Sequence, residues 1–62
     1  SLKKEFSYFH DQSKDYVIIR LYDGNLVAKE VNIKERKLGS EILYIPSYNP
    51  APITLNKIKI EQ

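Results

Sequence analysis

With 62 residues the chain is one domain at most, and a domain of this size buries a modest core. The absence of cysteine excludes a disulfide framework and a thiolate metal site. Ten basic and eight acidic residues leave a formal charge of +2, interspersed as in NIKERK and NKIKIEQ, which reads as a solvated surface and not as a strong nucleic-acid footprint. No apolar run has the length of a membrane-crossing helix, and no charged-then-apolar leader is legible. The expectation is a soluble, cytoplasmic chain, or a soluble piece of a larger one, with no cofactor.

In chain order, SLKKEFSYFHDQSKD comes first, a lead-in over 1–15 of weak definition. Leu2, Phe6 and Phe9 recur at helical spacing, which allows one short N-terminal helix. Phe6, Tyr8 and Phe9 serve a strand equally well, and DQSKD is a polar loop. YVIIRLY, 16–22, is short and rich in β-branched and aromatic residues and predicts a strand. DGN, 23–25, predicts a tight hairpin turn in which Gly24 supplies positive φ. LVAKEVNIKER returns as a second strand, KLGS predicts a turn around Gly39, and EILYIP is a third strand ended by Pro46. SYNPAP is an irregular proline loop, and ITLNKIKI is a last strand in which Ile58 and Ile60 alternate with Lys57 and Lys59. The pattern predicts an all-β fold over 16–60: an antiparallel sheet or partial barrel of about four strands joined by hairpins.

Lys29 breaks the pattern of its strand. Strand alternation places it on one face with Val27, Val31 and Ile33. A twisted or edge position explains this, with the lysine stem covering apolar surface. So does an ion pair with Glu35 or Glu41; Glu30, being adjacent, points to the other face. The chemical explanation is an amine held among aliphatic side chains, where desolvation favours the neutral form and makes it a general base for a serine hydroxyl.

The words DYVIIRL, YDGN, LVAKEV and LYIPSYNPAPI, in this order, resemble the C-terminal half of an S24-type peptidase domain, the family of LexA-like and phage-type repressors and UmuD-like proteins. The likeness covers about residues 15 to 54. It implies Lys29 as the general base of a Ser–Lys dyad, Gly24 as the hairpin turn, and Pro46, Asn49, Pro52 and Ile53 as a structural bend. Three departures stand out. Lys14-Asp15 replaces the usual Gly-Asp, Glu30 replaces a commonly basic residue, and no Ser-Met type nucleophile word occurs. Ser1, Ser7 and Ser13 all lack that motif. The resemblance therefore implies a chain that carries the base without the nucleophile, inactive as a peptidase alone. Its implied partners are a second copy, as a homodimer, or the preceding part of the same domain. DNA contact would belong to a helix-turn-helix outside this sequence, and no membrane is implied.

Other residues have simpler readings. His10, beside Asp11, has no ligand set around it for a metal. Tyr16, Tyr22, Tyr44 and Tyr48 are packing residues by position. Alternation puts Arg20 on the Tyr16/Tyr22 face, a small basic-aromatic patch that supports a rival reading as a nucleic-acid-binding β module. A third reading is a structural module for protein contacts. Gly24 and Gly39, the only glycines, make no phosphate loop.

Overall fold

The computed structural model describes residues 2–46 and 53–62. Among the described residues five strands form: β1 (Lys3–Asp11), β2 (Lys14–Tyr22), β3 (Asn25–Asn32), β4 (Lys37–Pro46) and β5 (Asn56–Glu61). They make one sheet in the order β4-β3-β2-β1-β5, with every neighbouring pair antiparallel. The all-β antiparallel expectation holds, with five strands where the sequence suggested about four. The lead-in is β1 and not a helix. Phe6 and Phe9 are both buried, but they lie on opposite faces of the strand. A sheet covered on both sides thus imitates helical spacing in its first strand.

β1 to β4 form a meander joined by tight turns. Gln12 takes φ 58° between β1 and β2, and Asp23 and Gly24 take φ 50° and 76° between β2 and β3. Two consecutive residues at positive φ match the right-handed twist of a two-residue hairpin. The third turn falls at Ile33–Arg36, with Arg36 at φ 56°, and not around Gly39 as the sequence suggested. Asn32 closes it, its carbonyl accepting from the Arg36 N–H at 2.7 Å and its side chain from the Glu35 N–H at 2.9 Å. Such side-chain-to-backbone bonding by Asn substitutes for glycine as a turn former.

Gly39 instead lies inside β4, at an irregularity. Val31 pairs with Leu38 and Lys29 with Ile42, so Gly39, Ser40 and Glu41 together oppose the single residue Glu30. A Cβ at position 39 would stand 2.9 Å from the Glu30 Oε1. The glycine serves close approach here, not a turn. A second irregularity, between Ile18 and Arg20 on β2, leaves Ile19 without a β3 partner.

β4 and β5 are the two edges of the sheet. The expected proline loop, Ser47–Pro52, lies outside the described residues. The sheet coils strongly. Val31 of β3 and Val17 of β2 join Phe6, Ile58 and Ile60 in one buried cluster, although β1 and β2 lie between β3 and β5. The Arg36 guanidinium donates to the Lys59 carbonyl at 3.2 Å, tying the β3–β4 turn to β5. On the opposite face Phe9, Tyr16 and Ala28 form a second cluster, with the Phe9 and Tyr16 rings stacked at 5.6 Å.

Candidate functional site

Lys29 lies in the middle of β3, which is flanked on both sides and is not an edge. Strand registers fix its neighbours: Val17 across on β2 and Ile42 across on β4. Cross-strand partners share a face, so the Lys29 face also carries Val27, Val31 and Tyr44. This face changes character along its length. Towards the β3–β4 turn it is covered, with Val17 fully buried and Val31 4% exposed. Towards the Asp23-Gly24 turn it is open, with Ile42 51%, Tyr44 62% and Tyr22 58% exposed. Lys29, half-buried, stands at the boundary between the two. A lysine suits that position, since its stem extends apolar cover while its head stays within reach of water.

The candidate carboxylate partners are elsewhere. Tyr16 pairs with Glu30, one position out of phase with Lys29, so Glu30 lies on the opposite face. Glu41 accepts from the Tyr16 hydroxyl at 2.8 Å and from the Lys14 ammonium at 3.2 Å on that same opposite face. Lys14 also stands 3.9 Å from Glu30. The hydrogen bond from Tyr16 lowers the pKa of Glu41, assisted by Lys14. The same bonds to Glu41 raise those of Tyr16 and Lys14. The Lys29 side chain has no ion pair or hydrogen bond among the described residues. The edge-strand and ion-pair explanations of its position therefore fall away, and the two that remain are snorkelling and a chemical role.

The irregularity at Ile19 rearranges the aromatic patch. Arg20 pairs with Val27, so Arg20 and Tyr22 lie on the Lys29 face, while Tyr16, paired with Glu30, is on the other. Strict alternation had joined all three. The Arg20 guanidinium covers the Tyr22 ring at 5.1 Å. Arg20 and Lys29 are thus the cations of the open half-face, and Glu30 and Glu41 are behind it. Residue types alone do not announce this segregation, because a bulge leaves no signature at Ile19.

The remaining site residues are placed as follows. Gly24 occupies the β2–β3 turn. Pro46 ends β4 opposite Asn25. Ile53 is exposed and outside any strand, and Asn49 and Pro52 lie outside the described residues, as does Ser1. Ser7 accepts a 3.0 Å hydrogen bond from the Lys57 ammonium at the β1–β5 edge, and Ser13 sits in the first turn; the structure brings neither to Lys29. His10 Nδ1 meets Asp15 Oδ1 at 2.9 Å, and that bond raises the histidine pKa.

No group of three or more His, Cys, Asp or Glu among the described residues is arranged to hold a metal ion. No helix among them is long and apolar enough to cross a membrane. Comparison with protein-family models, with curated proteins and with solved structures finds no match to this chain.

Proposed function

We propose that the chain is the C-terminal part of an S24-type, LexA-like peptidase and repressor domain, in which Lys29 is the general base of a Ser–Lys dyad. The observation that carries the reading is the position of Lys29: on a central strand, unpaired among the described residues, between a fully buried Val17 and a half-exposed Ile42. A general base needs a site that is partly dry yet open to a reactant, and this boundary supplies both. The open half-face beside it exposes Ile42, Tyr44 and Tyr22 with Arg20, a surface on which a further segment bearing the nucleophile would dock.

Under this reading the serine comes from outside these 62 residues. Lys29 takes the proton from its hydroxyl as the oxygen attacks a peptide carbonyl, and returns it to the leaving amine. The partners are the preceding part of the same domain and a second copy; operator DNA is contacted by a helix-turn-helix elsewhere. The test is to express the full natural reading frame and follow self-cleavage at mildly alkaline pH, beside the 62-residue chain mixed with peptide substrates. Cleavage in the first and none in the second is the expected result. A full-length protein that never cleaves removes the reading.

A second reading rests on the Arg20–Tyr22 contact beside the exposed Tyr44: a single-stranded nucleic acid stacked on the open half-face. It requires salt-dependent oligonucleotide binding that weakens on Arg20→Ala or Tyr22→Ala. Absence of binding at low salt eliminates it.

A further inference from the structure

The formal charge of +2 is not spread evenly over the molecule. Where the β3–β4 turn closes on β5, a cleft of about 280 Å³ remains between them. Three cations, Arg36, Lys57 and Lys59, stand around it with one carboxylate, Glu5. Glu5 and Lys59 are cross-strand partners on β1 and β5, so their charges offset one another. Arg36 and Lys57 make no ion pair among the described residues. The two cations left over on this one small cleft equal the whole excess charge of the chain.

Both cations are held in place by neutral groups. The Arg36 guanidinium donates to the Lys59 carbonyl at 3.2 Å, and the Lys57 ammonium donates to the Ser7 hydroxyl at 3.0 Å. A guanidinium has five N–H donors and an ammonium three, so most remain for a ligand. The rest of the lining is aromatic and aliphatic. Tyr8 and Ile33 are partly buried against the core cluster, and Ile58 belongs to it. No lining residue is adjacent in sequence to the undescribed ones.

We propose that this cleft binds an organic phosphate monoester of mononucleotide size, with its phosphate between Arg36 and Lys57 and a planar body against Tyr8. The phosphate follows from charge. A monoester carries close to two negative charges at neutral pH, and a guanidinium fork bonds two of its oxygens at once. A single carboxylate would leave one of the two cations without a counter-charge. The body follows from the wall, since inorganic phosphate alone would leave Tyr8 and Ile33 uncovered. The size follows from the volume, which lies near the lower end of small-molecule sites, roughly 300 Å³ and upward. A groove continues past Arg36 to Lys3 and Lys37, but Glu35 and Glu61 line it, which disfavours a longer polyanion. The walls come from β1, the β3–β4 turn and β5, so the ligand fits only the coiled sheet and stabilises it. The cleft shares no lining residue with the open half-face around Arg20 and Tyr22, and it stands whether or not Lys29 is a base.

The experiment titrates the 62-residue chain, labelled with nitrogen-15, with adenosine 5′-monophosphate, adenosine, inorganic phosphate and a short oligothymidylate. Saturable amide shifts at Tyr8, Ile33–Arg36 and Lys57–Lys59 with the nucleotide, and a raised melting temperature, support the proposal. Adenosine and inorganic phosphate should each bind at least tenfold more weakly. Lys57→Gln should lose fivefold or more in nucleotide affinity at an unchanged melting temperature, and Lys57→Arg should keep most of it. Arg36→Gln also removes the tie to β5, so Lys57 carries the test. Arg20→Gln should bind as wild type does. No saturable shift at millimolar nucleotide would overturn the proposal. So would inorganic phosphate binding as tightly as the nucleotide, oligothymidylate binding more tightly than the nucleotide, or loss of nucleotide binding on Arg20→Gln.

Discussion

The substitution Val17→Ala probes the coiling of the sheet most sharply. Val17 is fully buried in the cluster that joins β2 and β3 to β5. Removing two buried carbons forfeits about 1.6 kcal/mol at roughly 0.8 kcal/mol per methylene. The cavity left behind raises the cost to about 2–3 kcal/mol. A domain of 62 residues has a total stability of roughly 3–9 kcal/mol. Its unfolding entropy is about 130 cal/mol/K at roughly 2.1 cal/mol/K per residue. The melting temperature should therefore fall by about 15–23 °C, which is followed by circular dichroism or calorimetry. Ile42→Ala, on the same face but 51% exposed, is the control and should cost under about 1 kcal/mol. Equal losses from the two substitutions would mean that β5 does not close over Val17, and the packing argument would fail.

Other expectations concern the turns and the charges. Gly24→Ala meets positive φ and should destabilise by about 1–2 kcal/mol, whereas Gly39→Ala displaces only the flexible end of Glu30 and should stay within about 1 kcal/mol of wild type by chemical denaturation. Because the Asp15 bond raises the folded-state pKa of His10, its contribution is complete below pH 6.5 and lost as pH rises through the raised value. Asp15→Asn should remove that part of the melting profile. Glu41, lowered by Tyr16 and Lys14, contributes above pH 4.5 and loses that contribution as pH falls through its lowered value. Tyr16→Phe should shrink that acid limb, and an unchanged limb would contradict the hydrogen bond.

Most of the strands were legible because their faces differ. Lys57 and Lys59 against Ile58 and Ile60 mark β5 without ambiguity, and the Asp23-Gly24 pair marks its hairpin by the φ values it tolerates. β1 was obscured because both of its faces are covered, which erases the period of two between Phe6 and Phe9. The β3–β4 turn was misplaced for a different reason. A glycine signals freedom without saying what uses it, and at Gly39 the user is the Glu30 side chain. Asn32 forms the actual turn through bonds that are invisible until the chain closes. The site was half legible. Alternation put Lys29 on the apolar face correctly, since β3 is regular around it. It put Arg20 and Tyr22 with Tyr16 incorrectly, because one unpaired residue inverts every side chain after it.

The central claim is that the amine of Lys29 acts as a base and does not merely fill space. The direct measurement is the first-order rate of self-cleavage of the full natural protein with Lys29, with Lys29→Ala, and with Arg20→Ala, each checked for an unchanged melting temperature. The expected result is a loss of roughly a hundredfold to ten-thousandfold for Lys29→Ala, the usual scale of a general base, and less than about threefold for Arg20→Ala. Equal cleavage by wild type and Lys29→Ala, in proteins that melt alike, would contradict it.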